Sequence, residues 1–150
     1  MTPRRPVRVP PVAVCVAAGV AQRAFGRGGR PHPIAASALA AASAGVLVAP
    51  VVAFRRHGTT VDPRAGARPA ALVTGGVNAI TRNPMYVGMA GLLTAQAVAR
   101  GRVAALLPVV AFVGWIDRVQ IEAEERELAA TFGPSYDSYR RSVPRWLGRR

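Results

Sequence analysis

The chain has 150 residues, of which 51% are apolar and only 18% charged, with 15 Gly and 13 Pro. All 20 of its basic side chains are arginine, set against 7 acids, for a formal charge of +13, and its mean hydropathy is +0.21. The length fits a single domain over residues 1–150, the apolar share excludes intrinsic disorder, and the lack of lysine-rich polar surface argues against nucleic-acid binding, which leaves a small membrane protein with its arginines outside the hydrocarbon core.

The N-terminal segment carries Arg4, Arg5 and Arg8 around the start of a weakly apolar run at 7–21, the first expected span. A basic stretch followed by apolar residues looks like a secretory signal, but the chain runs on into further apolar segments, so cleavage is not expected. The lone Cys15 excludes an intramolecular disulfide and a multi-cysteine metal site, and reads as a small buried hydrophobe. No metal is expected.

The second span, 33–54, has 22 uncharged residues, against roughly 20 needed to cross about 30 Å of hydrocarbon. The third, 84–99, and the fourth, 103–116, are joined only by Arg100, Gly101 and Arg102 and read as a tight helical hairpin. The expected fold is all-α: an integral membrane helical bundle of about four transmembrane helices with a cytoplasmic C-terminal helix and tail. With four spans, 15 arginines fall on the side holding both termini and 5 on the other, which puts both termini in the cytoplasm of a multi-pass cell-membrane protein.

Small residues recur every fourth position at Ser37, Ala41, Gly45 and Ala49, and again at Gly91, Ala95 and Ala99. Such stripes let helix backbones approach closely in lipid, either inside the bundle or in a homo-oligomer. Pro50 and Pro108 are expected to kink or end their helices.

Three segments hold the unusual chemistry. Six of the seven acids, Asp117, Glu122, Glu124, Glu125, Glu127 and Asp137, gather after the fourth span. The run from Asp117 to Phe132 suits a helix with i,i+4 pairs among Arg118, Glu122 and Arg126 and an apolar stripe of Ile121, Leu128 and Phe132. Carboxylates just outside a bilayer could hold a cationic ligand such as a sulfonium or an amine. In LVTGGVNAITRNPMYVG, Leu72 to Gly88, Asn83 is a favoured N-cap and Pro84 a favoured first helical residue. A helix N-terminus beside Arg82 is a natural seat for a carboxylate. Gly133 and Pro134 end the acidic helix, after which Phe132, Tyr136 and Tyr139 can share one face.

In this order, behind apolar spans, the segments resemble the isoprenylcysteine carboxyl methyltransferase and phospholipid methyltransferase superfamily of integral membrane enzymes. The likeness covers about Gly58 to Trp146. Leu72 to Gly88 is similar to the pattern LVT-x-G-x-Y-x-x-x-R-[HN]-P-x-Y-x-G, and EERELAATFGPSYDSYRRSVPR to a pattern with E-E-x-x-L, F-G, Y-x-x-Y and V-x-R. The resemblance implies S-adenosylmethionine as methyl donor and a lipophilic small molecule, or a membrane lipid, as acceptor. Ala70, Ala71, Leu72 and Val73 would line the cofactor, Asn83, Pro84, Met85 and Tyr86 would hold its amino-acid end beside Arg82, and Glu124 would contact it from the acidic helix. The chain departs from the pattern at Asn78, which stands at an aromatic position. It departs again at Gln120, where the isoprenylcysteine branch has a substrate-binding arginine that Arg118 or Arg145 would have to replace. Methyl transfer from a sulfonium is an in-line displacement governed by proximity, with no triad or metal required. A carboxylate acceptor needs no base, whereas an amine needs one such as Glu125. A second reading is a non-catalytic membrane accessory or assembly protein that keeps this scaffold.

Overall fold

The structure, a computed structural model, describes residues 9–56 and 71–148. Among them every regular element is helical. Helix α1, Pro11–Ala21, starts with proline in its first turn and passes into a 3-10 turn, Gln22–Phe25. Helix α2 spans Pro33–Arg56 and α3 Pro84–Arg100. A 3-10 turn at Val103–Leu106 leads into α4, Leu107–Trp115, a π-helical turn, Ile116–Ile121, and α5, Glu122–Phe132. Helix α6, Pro134–Ser142, precedes the C-terminal segment.

Two ends can be told apart. The loop after α1 meets the α3–α4 turn, where Gly28 N–H donates to Arg100 O at 3.2 Å and His32 N–H to Val98 O at 3.5 Å. That turn is possible because Gly101 adopts a left-handed conformation (φ 62°, ψ 27°), where a Cβ would lie 2.7 Å from the Arg30 carbonyl. At the other end the start of α3 meets α5 and the C-terminal segment. Helices α2 and α3 run antiparallel between the two ends, as the expected hairpin of the third and fourth spans also does.

The α2–α3 seam is closer than side chains normally allow. A Cβ on Gly91 would collide with Ser43 Oγ, and one on Gly88 would sit 2.9 Å from Ser43 O and Leu47 Cβ. The small residues pack inside the bundle on α3 at Gly91, whereas on α2 Ser37, Ala41 and Gly45 face outward, away from the internal seam, while Ala36, Ser43 and Pro50 are buried. Those buried positions are seven apart, two helical turns, and they select a different face from the four-residue stripe. Neither proline ends its helix. Helix α2 runs through Pro50 to Arg56, and Pro108 stands in the first turn of α4, where its missing N–H has no helical partner to lose.

Tyr86, Met89, Leu93, Val109, Phe112, Ile116 and Ile121 form the main core, with Val14, Cys15 and Ala18 of α1 packed against it. The outer surface stays apolar: Ile34 is 87% exposed and Val110 67%. Two helices are long and apolar enough to cross a membrane, 33–50 within α2, of which 17% is buried, and the continuous helix 103–132. The apolar helix of α1 is shorter, Pro11–Phe25.

The fourth span and the acidic helix, expected as separate elements, are thus one helix joined through the π turn. Ile116 and Ile121, both fully buried, anchor that turn in the core. Each residue advances an α-helix by about 100°, so widening one turn resets which residues of α5 face α3. Single π turns of this kind concentrate at functional sites.

Candidate functional site

The start of α3 is built by contacts from far along the chain. Arg82 N–H donates to Pro144 O at 3.0 Å, Thr81 Oγ1 to Arg145 O at 3.0 Å, and Asn83 Nδ2 to the same oxygen at 3.0 Å. The segment from Val143 to Leu147 is thereby strapped across the helix entrance. Pro84 opens α3 as expected, but Asn83 does not cap it with its side chain. Its amide is drawn to the Arg145 carbonyl instead, and Thr81 Oγ1 accepts the Asn83 N–H at 3.2 Å.

Beneath the strap lies a four-charge network. Glu125 accepts from Arg82 Nη1 at 2.9 Å and from Arg145 through Nη2 at 2.6 Å and Nε at 3.1 Å. Arg145 Nη1 also reaches Asp117, at 3.2 Å to Oδ1 and 3.1 Å to Oδ2, and Trp146 Nε1 donates to Asp117 Oδ1 at 2.8 Å. Arg82 Nη1 donates to the buried Tyr136 hydroxyl at 3.1 Å. The hydrogen bonds that Arg145 donates to Glu125 push its guanidinium above its ordinary range. Burial, reinforced by the Glu125 charge, pushes the Tyr136 phenol up, and burial pushes Tyr139 up to about 12. Two guanidiniums and two carboxylates balance, which is the condition under which half-buried charges are tolerable. The Arg82 side chain is only 9% exposed, and its Nε is buried with no acceptor among the described residues.

Glu124, the neighbour of Glu125 on α5, has different company. It accepts from Tyr86 OH at 2.6 Å and from Gln120 Nε2 at 2.7 Å, both on Oε1. Among the described residues its hydrogen-bond partners are these two neutral donors, with no guanidinium of the kind that faces Glu125.

Of the residues expected at the site, the structure gathers Arg82, Asn83, Pro84, Tyr86, Gln120, Glu124, Glu125 and Arg145. Asn78 joins through its main chain, whose carbonyl accepts from Tyr139 OH at 2.7 Å. Leu72 packs instead with Leu128, Ala129 and Phe132 against Tyr136, Tyr139 and Val143. Ala71 and Arg118 are exposed, Val73 is half-buried, and Met85 is 43% exposed. Ala70 lies outside the described residues. Asp117, Thr81, Tyr136 and Trp146 were not expected as site residues. The spacing of eight between Asp117 and Glu125, two helical turns with one face in common, was the available signal for Asp117.

Beside the network runs a groove of about 440 Å³ between α2, α3 and α4, lined by Leu39, Val46, Val87, Ala90, Val113 and Trp146 among others. Trp146 is shared, its ring in the groove and its Nε1 on Asp117. Among the described residues no group of three or more His, Cys, Asp or Glu is arranged to hold a metal ion.

A polar site at one end of a helical bundle, two of whose helices are long and apolar enough to cross a membrane, places the protein in an all-helical class among the described residues. The family model of the phospholipid methyltransferases matches residues 32–135, well over half of the chain. The chain belongs to the phospholipid methyltransferase family, whose general activity is methyl transfer. The match takes in α2 to α5 and ends before Tyr136, Arg145 and Trp146. An uncharacterised protein of Haemophilus influenzae is 36% identical over 63 residues, which are 42% of this chain and the whole of that protein. No solved structure matches the chain.

Proposed function

We propose that the protein is a multi-pass membrane enzyme, both termini cytoplasmic, that uses S-adenosylmethionine to methylate the amine of a lipid-like acceptor. The observation that carries this reading is Glu124: a half-buried carboxylate with only neutral partners, next to the first turn of α3. An uncompensated negative charge in such a place favours a cationic ligand. The residues fit the cofactor on three counts. Arg82 has a buried N–H without an acceptor among the described residues, the α3 N-terminus adds partial positive charge for a carboxylate, and the Glu124 carboxylate, held on Oε1 by neutral donors, suits an ammonium or hydroxyls. When bound, the cofactor supplies a sulfonium methyl group as electrophile.

What the chain contributes is position. The Pro144–Arg145 strap fixes Asn83 and Arg82, and the Arg145–Asp117–Glu125 ties fix the strap. Glu125 and Arg145, expected as base and as a substrate contact, are engaged with each other, so in this reading both are positioning residues and proton removal falls to Glu124 or to water. Gln120 donates to Glu124, where an arginine would instead attract an acceptor carboxylate. That difference favours an amine acceptor over the isoprenylcysteine carboxylate. The groove ending at Trp146 offers an apolar wall for the acceptor's chain.

The test is to incubate the purified protein with methyl-labelled S-adenosylmethionine and a total lipid extract, and to identify the labelled species. Label on an amine-bearing lipid is expected. Cofactor binding with no methyl transferred to any lipid would overturn the enzyme reading and favour the accessory protein.

A further inference from the structure

The end of the bundle opposite the site holds Arg23, Arg27, Arg30, Arg100 and Arg102, and no acid is near them in sequence. The chain has no Asp or Glu before Asp62 and none between Arg82 and Asp117. Among the described residues these arginines form no ion pair of the kind that Arg82 and Arg145 make. Arg100 Nη1 reaches only a long contact to Gly26 O, 3.4 Å, and its Nε is buried with no acceptor among the described residues.

Below Arg23 and Arg100 a groove of about 430 Å³ runs between α1 and α3, lined by Val16, Val20, Leu92 and Leu93 and by Gln96, whose amide is tied to Gly19 O. It opens outward, with Val16 60% and Val20 58% exposed. Two guanidiniums at the helix ends with an apolar trough beneath them reproduce the order of a phospholipid, with charge at the interface and hydrocarbon below. Guanidinium groups pair with phosphate through two parallel N–H···O bonds.

We infer that this groove binds one anionic phospholipid, its phosphate between Arg23 and Arg100 and a chain along Val16, Val20 and Leu92. The site is separate from the methyl-transfer site and lies at the opposite end of the bundle. The inference rests on the reading that the chain spans a membrane.

The full chain, purified in mild detergent, is given an equal mixture of phosphatidylglycerol and phosphatidylcholine with the same chains, and retained lipid is read by native mass spectrometry. With about 1 kcal/mol for each of the two arginines at a lipid surface, retention of phosphatidylglycerol should exceed that of phosphatidylcholine roughly thirtyfold. Arg23→Gln with Arg100→Gln should bring the ratio below about twofold, and Val16→Trp should reduce retention of both lipids. Equal retention by the wild type, or a preference that survives the double substitution, overturns the inference. Displacement of the lipid by millimolar glycerol phosphate also overturns it, in favour of a simple phosphate site. Thermal unfolding reports whether the variants fold. If the double variant does not, Arg23→Gln alone carries the test, since Arg23 is exposed and should still lower the ratio. Membrane sedimentation separates the two failures: a chain that stays in solution contradicts the membrane reading, and one that sediments yet shows no preference contradicts this inference alone.

Discussion

The two ends of the bundle spend arginine differently. At one end Arg82 and Arg145 are half-buried and matched by Glu125 and Asp117. At the other, five arginines have no acidic partner among the described residues. The comparison teaches that a formal charge of +13 is two populations: an unpaired one that interacts with surroundings, and a paired one that builds a site. The paired end also orders backbone, because the guanidinium that closes the network belongs to the residue whose carbonyl holds Thr81 and Asn83.

Removing a paired charge should therefore hurt far more than removing an unpaired one. Arg145→Ala leaves Asp117 and Glu125 without their shared partner and frees the strap. Full burial of such a pair would make this loss 3–5 kcal/mol, and with Arg145 30% exposed the expectation is about 2 kcal/mol. Arg102→Gln, at the unpaired end, should change stability by less than about 0.5 kcal/mol. Thermal unfolding of the two variants side by side checks the contrast, and equal losses would break it.

A smaller effect separates the ends by pH. Burial raises the Tyr139 phenol from its ordinary 10.0 to about 12, so folding favours the neutral form. Stability from this group is fully present below pH 10, where the unfolded chain also keeps its proton, and is lost as pH climbs toward 12. Tyr139→Phe should flatten that alkaline decline in melting temperature, whereas Arg102→Gln should leave it unchanged.

The helix boundaries most open to sequence reading were those set by local chemistry: Pro84 in a first turn, the Gly101 turn, and Gly133 with Pro134 after the acidic helix. What escaped was long-range or a matter of face. Asn83 was read as a side-chain cap by its local propensity, and lost that role to a carbonyl 62 residues away. The fourth span was ended at the first charge, Asp117, although a change from apolar to polar residues leaves the helical hydrogen-bond ladder free to continue, here through a π turn. The α2 stripe followed a period of four, where burial follows positions seven apart. Of the site, Glu124, Tyr86 and Arg82 stood out through their motifs, while the Asp117–Arg145 pairing joins residues 28 apart with no periodicity to reveal it.

The central claim is that Glu124, the carboxylate left uncancelled beside a neutralised network, holds a cationic cofactor. Equilibrium binding of S-adenosylmethionine to the detergent-solubilised wild type and to Glu124→Gln, which preserves shape and removes the charge, tests it most directly. A charge-assisted contact of about 2–3 kcal/mol predicts binding weakened roughly 30- to 160-fold with the melting temperature little changed. Equal affinity in the two proteins, or no binding by the folded wild type, would contradict the account.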